Sequence, residues 1–172
     1  MTEPNFQPTL IGDSVVIRPL QKHDWTEMFE VASDPLIWEL HPASDRYKEP
    51  VFRKFFDGAL AARMGFAIVN KATGAIIGSS RYYGHDVVAR EIEIGWTFLS
   101  RTYWGGKTNA EVKRLMLDHA LTFVDTVVFW VGEHNRRSQR AMEKIGGVRR
   151  QGLYPRTFDG VESISVVFEI RK

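Results

Sequence analysis

The sequence contains no cysteine, and that absence removes several kinds of chemistry. A thiol nucleophile, a cysteine-based metal site and a disulfide framework are all excluded. The absence also fits a reducing compartment. Residues 1–10 lack the basic start and apolar core of a secretory signal, so we expect a cytoplasmic protein.

Long apolar runs and a strong charge of one sign are absent as well. Residues 127–131 form one of the densest apolar stretches, which is far too short to span a bilayer, so no membrane association is expected. The formal net charge is only +2, which argues against a protein whose whole surface binds nucleic acid. The five histidines show no metal-ligand spacing, and we expect no metal site.

What remains is the composition of an ordinary globular protein, 44% hydrophobic and 26% charged over 172 residues. This length can bury a substantial core, so residues 1–172 are predicted to form one domain, with residues 1–9 as a loose leader. Strands are predicted at residues 10–20, 66–69, 75–82, 91–99, 127–131, 148–154 and 163–170. Helices are predicted to begin at Asp24, Pro50, Thr108 and Asn135. Antiparallel strands mixed with helices place the fold in the α+β (mixed α/β) class.

Residues 91–113 contain a strand, a glycine-containing turn and the first turn of a helix. Thr108 and Glu111 have the spacing of a capping box, which predicts where the helix begins. A junction of this kind directs free backbone N–H groups and the positive end of a helix dipole toward solvent. We interpret it as a site for the diphosphate of a nucleotide-like cofactor; a simple helix cap is the alternative. Residues 106–108 also match the end of a P-loop, but Arg101 stands where that motif requires glycine, so a P-loop kinase is the weaker alternative.

Several motifs occur together along the chain. They are Glu-Ile-Gly-Trp-Thr-Phe-Leu at 93–99, Tyr-Trp-Gly at 103–105, Asn-x-Glu-x-Lys at 109–113, Asn135-x-x-Ser138 with Glu143-Lys-Ile-Gly146, and Asp159-Gly160. In this combination the chain resembles, over nearly its whole length, the GNAT acetyltransferase superfamily, and it is most similar to the branch of ribosomal-protein N-terminal (Rim-type) acetyltransferases. The resemblance implies a central twisted, mostly antiparallel sheet of about seven strands flanked by about four helices.

The resemblance also implies a function. Members of this superfamily move an acetyl group from acetyl-CoA to a primary amine by direct attack in a ternary complex, without metal or covalent intermediate. The acceptor here would be a protein N-terminus or a small-molecule amine, and the sequence does not choose between them. Oligomeric state is not readable from the sequence, and a homodimer stays open.

The residues expected to bind acetyl-CoA follow from the same resemblance. They lie on the predicted strand, in the turn and on two helices: Trp96, Thr97, Phe98, Leu99, Trp104, Gly105, Gly106, Lys107, Thr108, Asn109, Ala110, Asn135, Ser138 and Arg140. The turn, Trp104-Gly-Gly-Lys-Thr-Asn109, departs from the family pattern Gln/Arg-x-x-Gly-x-Gly/Ala at three positions. Tryptophan and asparagine are familiar there in this branch, whereas Lys107 stands where a glycine is usual. Its ammonium would lie either beside the phosphates or in solvent.

The resemblance assigns the general base to an acidic residue on the central strand. Glu93 matches best and Glu91 points to the same face, so both are candidates; a solvent-side position in an alternating strand is the alternative for either. Ser138 matches the residue that protonates the leaving thiolate in the Rim-type branch, since Met142 stands where many members have a tyrosine. Four residues are expected to line the acceptor pocket, although two of them, the tryptophan and the histidine, would serve equally well in packing: Trp38, His41, Arg46 and Tyr82.

Two functions of other classes stay open beside the enzyme. Lys107 and Met142 favour a catalytically weak acetyl-CoA-binding regulatory module. The arginines between residues 136 and 150 favour a ribosome- or RNA-associated protein. Nucleic acid is the less expected partner, because this basic patch lacks interleaved aromatic residues.

Overall fold

One sheet of nine strands forms the centre of the computed structural model, which describes residues 3–172. In chain order the strands are β1 (Leu10–Ile11), β2 (Val15–Pro19), β3 (Gly65–Asn70), β4 (Ile76–Asp86), β5 (Glu91–Leu99), β6 (Thr126–Gly132), β7 (Val148–Arg149), β8 (Tyr154–Phe158) and β9 (Val161–Arg171). Their order across the sheet is β1-β2-β3-β4-β5-β6-β9-β7, and β8 pairs with β9. The β5–β6 pair is parallel, and the other pairs are antiparallel.

Helices cover both faces of this sheet: α1 (Trp25–Ala32), α2 (Glu49–Ala62), α3 (Thr108–Ala120) and α4 (Arg136–Lys144). Apolar residues at helical spacing on α1 and α2, such as Met28 and Phe52, pack with Phe98 in one core. Met116 of α3 and Met142 of α4 belong to a second core on the other face. The predicted mixed α/β class, with a mostly antiparallel sheet, is confirmed, and the sheet has more strands than expected.

Three predicted strands differ from the observed ones. The turn at residues 12–13 divides the first of them into β1 and β2. β4 extends to Asp86, because Tyr83 and Asp86 still pair with β5. Residues 148–154 do not form one strand, since Gly152, with a φ of 98°, turns the chain between β7 and β8.

Part of the predicted loose leader packs against the fold. The ring of Phe6 lies 5.6 Å from that of Phe123 and 5.2 Å from that of His85. The carbonyl oxygen of Asn5 lies 2.7 Å from Nε2 of His119. Residues 5 and 6 are therefore held by α3 and the chain around it.

A β-bulge in β5 changes which face its side chains occupy. Ser79 of β4 pairs with Phe98 and Arg81 pairs with Gly95, so one residue of β4 faces two residues of β5 between these pairs. Trp96, one of the two, has a φ of 52°. Before the bulge the even-numbered isoleucines of β5 face α3, whereas beyond it Leu99 does. The strict alternation predicted over residues 91–99 is therefore wrong past residue 95.

Just before this bulge β5 and β6 separate. Their parallel pairing ends at Glu93 and Val128, although β5 continues to Leu99 and β6 to Gly132. A bulge bends its strand, which accounts for the divergence. The opening, named here the β5–β6 gap, lies at the carboxyl ends of two parallel strands, the usual position of a ligand in sheets of this kind.

Gly78 allows β4 and β5 to approach each other beside the bulge, where it pairs with Leu99. A Cβ atom at this position would overlap the carbonyl oxygen of Phe98, so we expect Gly78→Ala to lower the free energy of unfolding by roughly 1–3 kcal/mol. Urea denaturation measures the change. Gly58→Ala in α2 is the control, because a Cβ there meets nothing within 4 Å, and it should stabilise the protein by roughly 0.5–1 kcal/mol. Equal stabilities of the two variants would contradict the close approach.

Candidate active site

Two side chains hold the turn between β5 and α3 in place, while the backbone N–H groups of residues 105–110 remain unbonded to the described chain. The indole Nε1 of Trp104 donates to the carbonyl oxygen of Leu99 at 3.0 Å, and the hydroxyl of Tyr103 accepts from Nδ2 of Asn70 at 2.9 Å. Gly105 has a φ of 73°, a conformation that glycine adopts without strain. The chain then enters α3 directly.

The backbone N–H groups of residues 105–110 donate no hydrogen bond to any group of the described chain. The first N–H bonded into the helix is that of Glu111, which donates to the carbonyl oxygen of Lys107 at 3.0 Å. These free amides lie at the N-terminus of α3, where the helix dipole is positive. Together they form a site suited to an anion with several oxygens, such as a diphosphate.

The predicted capping box is not formed, and its absence keeps this site open. Thr108 is the first residue of α3 and makes no side-chain cap bond. The Glu111 carboxylate instead accepts from the backbone N–H groups of Ser14 at 2.8 Å and Val15 at 3.3 Å, and from the Ser14 hydroxyl. The prediction was wrong because it considered only local partners, whereas this carboxylate anchors the β1–β2 turn.

α4 begins shortly after β6, the strand on the other side of the β5–β6 gap. Asn135 is buried and caps this helix by accepting from the N–H of Ser138 at 3.2 Å. Ser138 is half-buried in the first turn, whereas Arg140 is exposed. Arg137, which the sequence analysis counted in a basic patch, stacks on the indole ring of Trp104 at 3.9 Å and connects α4 to the turn.

The predicted cofactor residues on β5 can reach a ligand through their backbone groups, because their side chains are engaged elsewhere. Phe98 packs into the core under α1 and α2, and Leu99 packs into the core under α3. The Thr97 hydroxyl accepts from Nζ of Lys113 at 2.5 Å. Because β6 does not pair with this part of β5, the backbone edge of β5 faces the gap.

Glu93 lies where the strands separate, on the face away from α3. It lines a cleft of about 70 Å³ together with residues from a loop, from β5 and β6 and from the β8–β9 hairpin, among them His41, Arg46, Trp96, Trp130 and Arg156. The carboxylate accepts two hydrogen bonds from the Arg156 guanidinium, at 2.7 and 3.0 Å. Burial raises the pKa of Glu93, although Arg156, Arg81 and Lys113 act in the opposite direction. A carboxylate with a raised pKa is a better proton acceptor near neutral pH.

The other candidate base, Glu91, has different surroundings. Its carboxylate accepts from Arg150 at 2.5 Å, and Arg150 also pairs with Glu169 at 2.5 Å. It lies where β5 and β6 are still paired and is not among the residues that line the cleft. Of the two carboxylates, only that of Glu93 reaches the cleft.

The structure brings two of the four predicted pocket residues to the cleft. His41 and Arg46 line it, and burial, with the nearby Arg46, lowers the pKa of His41 to about 3, so its ring is neutral. Trp38 is buried in the core beside the cleft and donates from Nε1 to the carbonyl oxygen of Ala32 at 2.8 Å. The fourth assignment needs correction: Tyr82 lies in the core under α3, where its hydroxyl donates to a backbone carbonyl at 2.7 Å.

Sequence reasoning missed Arg156, because its pairing with Glu93 depends on how the β8–β9 hairpin folds back over β5. The guanidinium also lies 4.5 Å from the ring of Trp130 and 5.0 Å from that of Trp96. The one available signal was a lone arginine in a short alternating segment before the Asp159-Gly160 turn.

A buried lysine lies beneath the β5–β6 gap. Lys113 of α3 is only 3% exposed, and its Nζ lies 5.3 Å from the ring centroid of Phe129 on β6. Within residues 3–172, the Lys113 ammonium donates one hydrogen bond, to the hydroxyl of Thr97 on β5. Burial lowers the pKa of Lys113 to about 7, against the opposing effect of Glu93. The Lys113 amine thus lies where the two strands have parted.

The family model of the acetyltransferase (GNAT) domain matches residues 14–148, which is more than half of the chain. The chain belongs to the GNAT acetyltransferase family, and this membership implies acyl transfer.

Solved structures share the fold. The acetyltransferase (GNAT family) from Bacillus anthracis has a TM-score of 0.77 at 18% identity, covering 95% of this chain and 98% of that chain. A protein from T. thermophilus, provisionally described as an acetyltransferase, has a TM-score of 0.79 at 26% identity, covering 97% and 90%. One from Vibrio cholerae, provisionally described as a ribosomal-protein-serine acetyltransferase, has a TM-score of 0.75 at 14% identity, covering 96% and 98%. At 14% identity the Vibrio cholerae structure shows a shared fold alone, so membership of the Rim-type branch stays a prediction.

No curated protein matches the sequence. Every helix within residues 3–172 is too short or too polar to cross a bilayer. Across the same residues, no three His, Asp or Glu side chains come together as metal ligands.

Lys113→Met should raise the free energy of unfolding at neutral pH, because an apolar side chain of similar length replaces a buried ammonium. The pKa of Lys113 is about 7 in the folded protein against an ordinary 10.5, so between these values the unfolded chain binds more protons. The stability of the wild type therefore rises with pH across this window, and the advantage of the variant should shrink there. Denaturant titrations across that window measure both effects, with the exposed Lys107→Met as control. A stabilisation that does not change with pH would contradict the assignment.

Proposed function

We propose that this protein is an N-acetyltransferase that moves an acetyl group from acetyl-CoA to a primary amine in a ternary complex. One observation carries the proposal. The unpaired amides of residues 105–110 open onto a gap between two parallel strands, and the inner end of that gap holds the buried carboxylate of Glu93. An anion site and a candidate base are thus connected by an unpaired strand edge.

The chain offers groups for each part of coenzyme A. The amides of residues 105–110 and the α3 dipole would hold the diphosphate. The unpaired edge of β5 beyond Glu93 would bind the amide groups of the pantetheine arm, as an added strand would be bound. Arg140, exposed on α4, would meet the phosphorylated nucleotide end. Lys107 is exposed in the turn and adds positive charge.

Acetyl-CoA, when bound, supplies the acetyl group as a thioester, so that a carbon–nitrogen bond forms as the carbon–sulfur bond breaks. Glu93 would take the proton of the acceptor ammonium, directly or through a water molecule, because its burial favours the protonated form. The hydroxyl of Ser138 would hold the proton that the leaving sulfur requires. Met142, buried in the core, cannot take that role.

A catalytically weak acetyl-CoA-binding module is the second candidate. It is favoured by the ion pair in which Arg156 holds both oxygens of Glu93, since a base occupied in this way accepts protons less readily. Binding of the cofactor without turnover on any amine would support it. An RNA-binding role has less support, because Arg137 is stacked on Trp104 and Arg150 is paired with two glutamates.

Gly106 provides a test of the cofactor site alone. A Cβ atom here would meet nothing within 4 Å of the protein, so Gly106→Val should fold with an unchanged melting temperature. Its side chain would occupy the space expected for the diphosphate, and coenzyme A affinity should fall by about 10-fold or more, or roughly 1.4 kcal/mol. Calorimetry measures the affinity, and Arg114→Ala on the exposed side of α3 is the control. Undiminished affinity would place the diphosphate elsewhere.

Glu93→Gln tests the base. The amide keeps the shape of the carboxylate but cannot accept the proton, so kcat should fall by roughly 100-fold or more, while coenzyme A affinity stays the same. In the wild type the rate should rise with pH through a pKa above the ordinary glutamate value, because only the ionised carboxylate accepts a proton. Thiol release follows the rate, and Glu91→Gln is the matched variant. If Glu91→Gln loses activity and Glu93→Gln does not, the base is reassigned.

A further inference from the structure

Two arginines near the cleft are buried without a hydrogen-bonding partner. Arg46 is 5% exposed and Arg81 is 4% exposed. Within residues 3–172, Nη1 of Arg46 and both Nε and Nη2 of Arg81 are enclosed and unbonded. Buried guanidinium groups are normally paired with a carboxylate or bonded to carbonyl groups, because an unbonded buried charge is unfavourable.

Aromatic rings hold the faces of these guanidinium groups and leave their N–H edges free. Arg81 lies 4.1 Å from the ring centroid of Trp96 and 5.4 Å from that of Phe55. Arg46 lies 4.8 Å from the same Phe55 ring. Both arginines thus lie over the ring of Phe55. Stacking stabilises the cations through their planes, but a ring face does not accept the in-plane N–H groups.

The charges around the cleft do not balance. Glu93 is the carboxylate that lines it, and Arg156 is already paired with that group. Asp159, at the β8–β9 turn, acts on both buried arginines, Asp45 acts on Arg46 and Glu93 acts on Arg81. None of these carboxylates forms an ion pair with either arginine, and Arg46 and Arg156 outnumber Glu93 in the lining of the cleft. An acceptor that brought only an ammonium group would therefore meet an excess of positive charge.

We infer that the acceptor is a small amine that also carries a carboxylate, an amino acid or a close analogue, and that Arg46 binds this carboxylate with Arg81 behind it. The inference rests on the proposed function, whose acceptor it defines. Arg46 and Glu93 line the same cleft, so one molecule can place its carboxylate on the first and its amine beside the second. The cleft volume of about 70 Å³ and the burial of both arginines suit a small molecule.

Three amines that differ only in the carboxylate distinguish carboxylate binding by Arg46 and Arg81 from a purely structural role of these arginines in the aromatic cluster. Each amino acid is compared with its carboxamide and its decarboxylated amine, in the wild type, Arg46→Met and Arg81→Met. Arg114→Met removes an exposed charge on α3 and is the control. Methionine is chosen because replacing an unpaired buried cation with an apolar chain should keep or raise the melting temperature. If either methionine variant fails to fold, the glutamine variant replaces it.

The wild type should prefer the carboxylate-bearing member of a set by about 10-fold or more in kcat/KM. In Arg46→Met and Arg81→Met that preference should disappear, with little change for the decarboxylated amine. The control should keep the preference in full. Equal use of all three amines, or a preference that survives in Arg46→Met, overturns the inference. Faster acetylation of a peptide without any carboxylate near its N-terminus also overturns it.

A binding measurement separates this inference from the proposed function. Calorimetry with coenzyme A present should detect the amino acid or its N-acetyl product in the wild type and the control, but not in Arg46→Met. If that binding is found and no amine is acetylated, Arg46 still binds the carboxylate of the ligand, and the proposed function fails. If only decarboxylated amines are acetylated, the function stands and the inference fails. Binding of an aminophosphonate in preference to the amino acid would overturn the assignment of the anion as a carboxylate.

Discussion

The bulge at Trp96 is the constraint on which the rest of this structure depends. It adds one residue to β5 close to the point, after Glu93, where the strand leaves β6 although both strands continue. Three features follow from that one change in backbone path. The β5–β6 gap opens, the edge of β5 loses its partner, and Thr97 turns toward Lys113 on the α3 side. A sheet paired to its ends would close the gap and satisfy those backbone groups.

Charge is distributed unevenly along this gap. At its outer end the free amides of residues 105–110 and the start of α3 form an anion site, which stays open because Glu111 bonds to Ser14 instead. At its inner end the buried Glu93 is paired with Arg156, is close to Arg81 and Lys113, and lines the same cleft as Arg46. An anionic cofactor and an acceptor with its own negative group would suit these two ends.

Local patterns in the sequence predicted much of this arrangement, and tertiary contacts account for the rest. The alternation around Glu93, the glycine turn after residue 103 and the Asn135 cap are local signals, and each lies where its pattern placed it. Tyr82 was assigned to the wrong face because the inward direction of β4 depends on its neighbours. Arg81 and Lys113 carry no local sign of burial, since charged residues in strands and helices usually face solvent.

The central claim is that the amides after β5 hold the diphosphate of coenzyme A, and NMR tests it most directly. A chain of 19.7 kDa gives resolved amide spectra. Addition of coenzyme A to the ¹⁵N-labelled protein should shift the amide signals of residues 105–110 most strongly, followed by those of β5 beyond the bulge. Saturating coenzyme A that leaves those signals in place, or moves only signals on another face, would contradict the account.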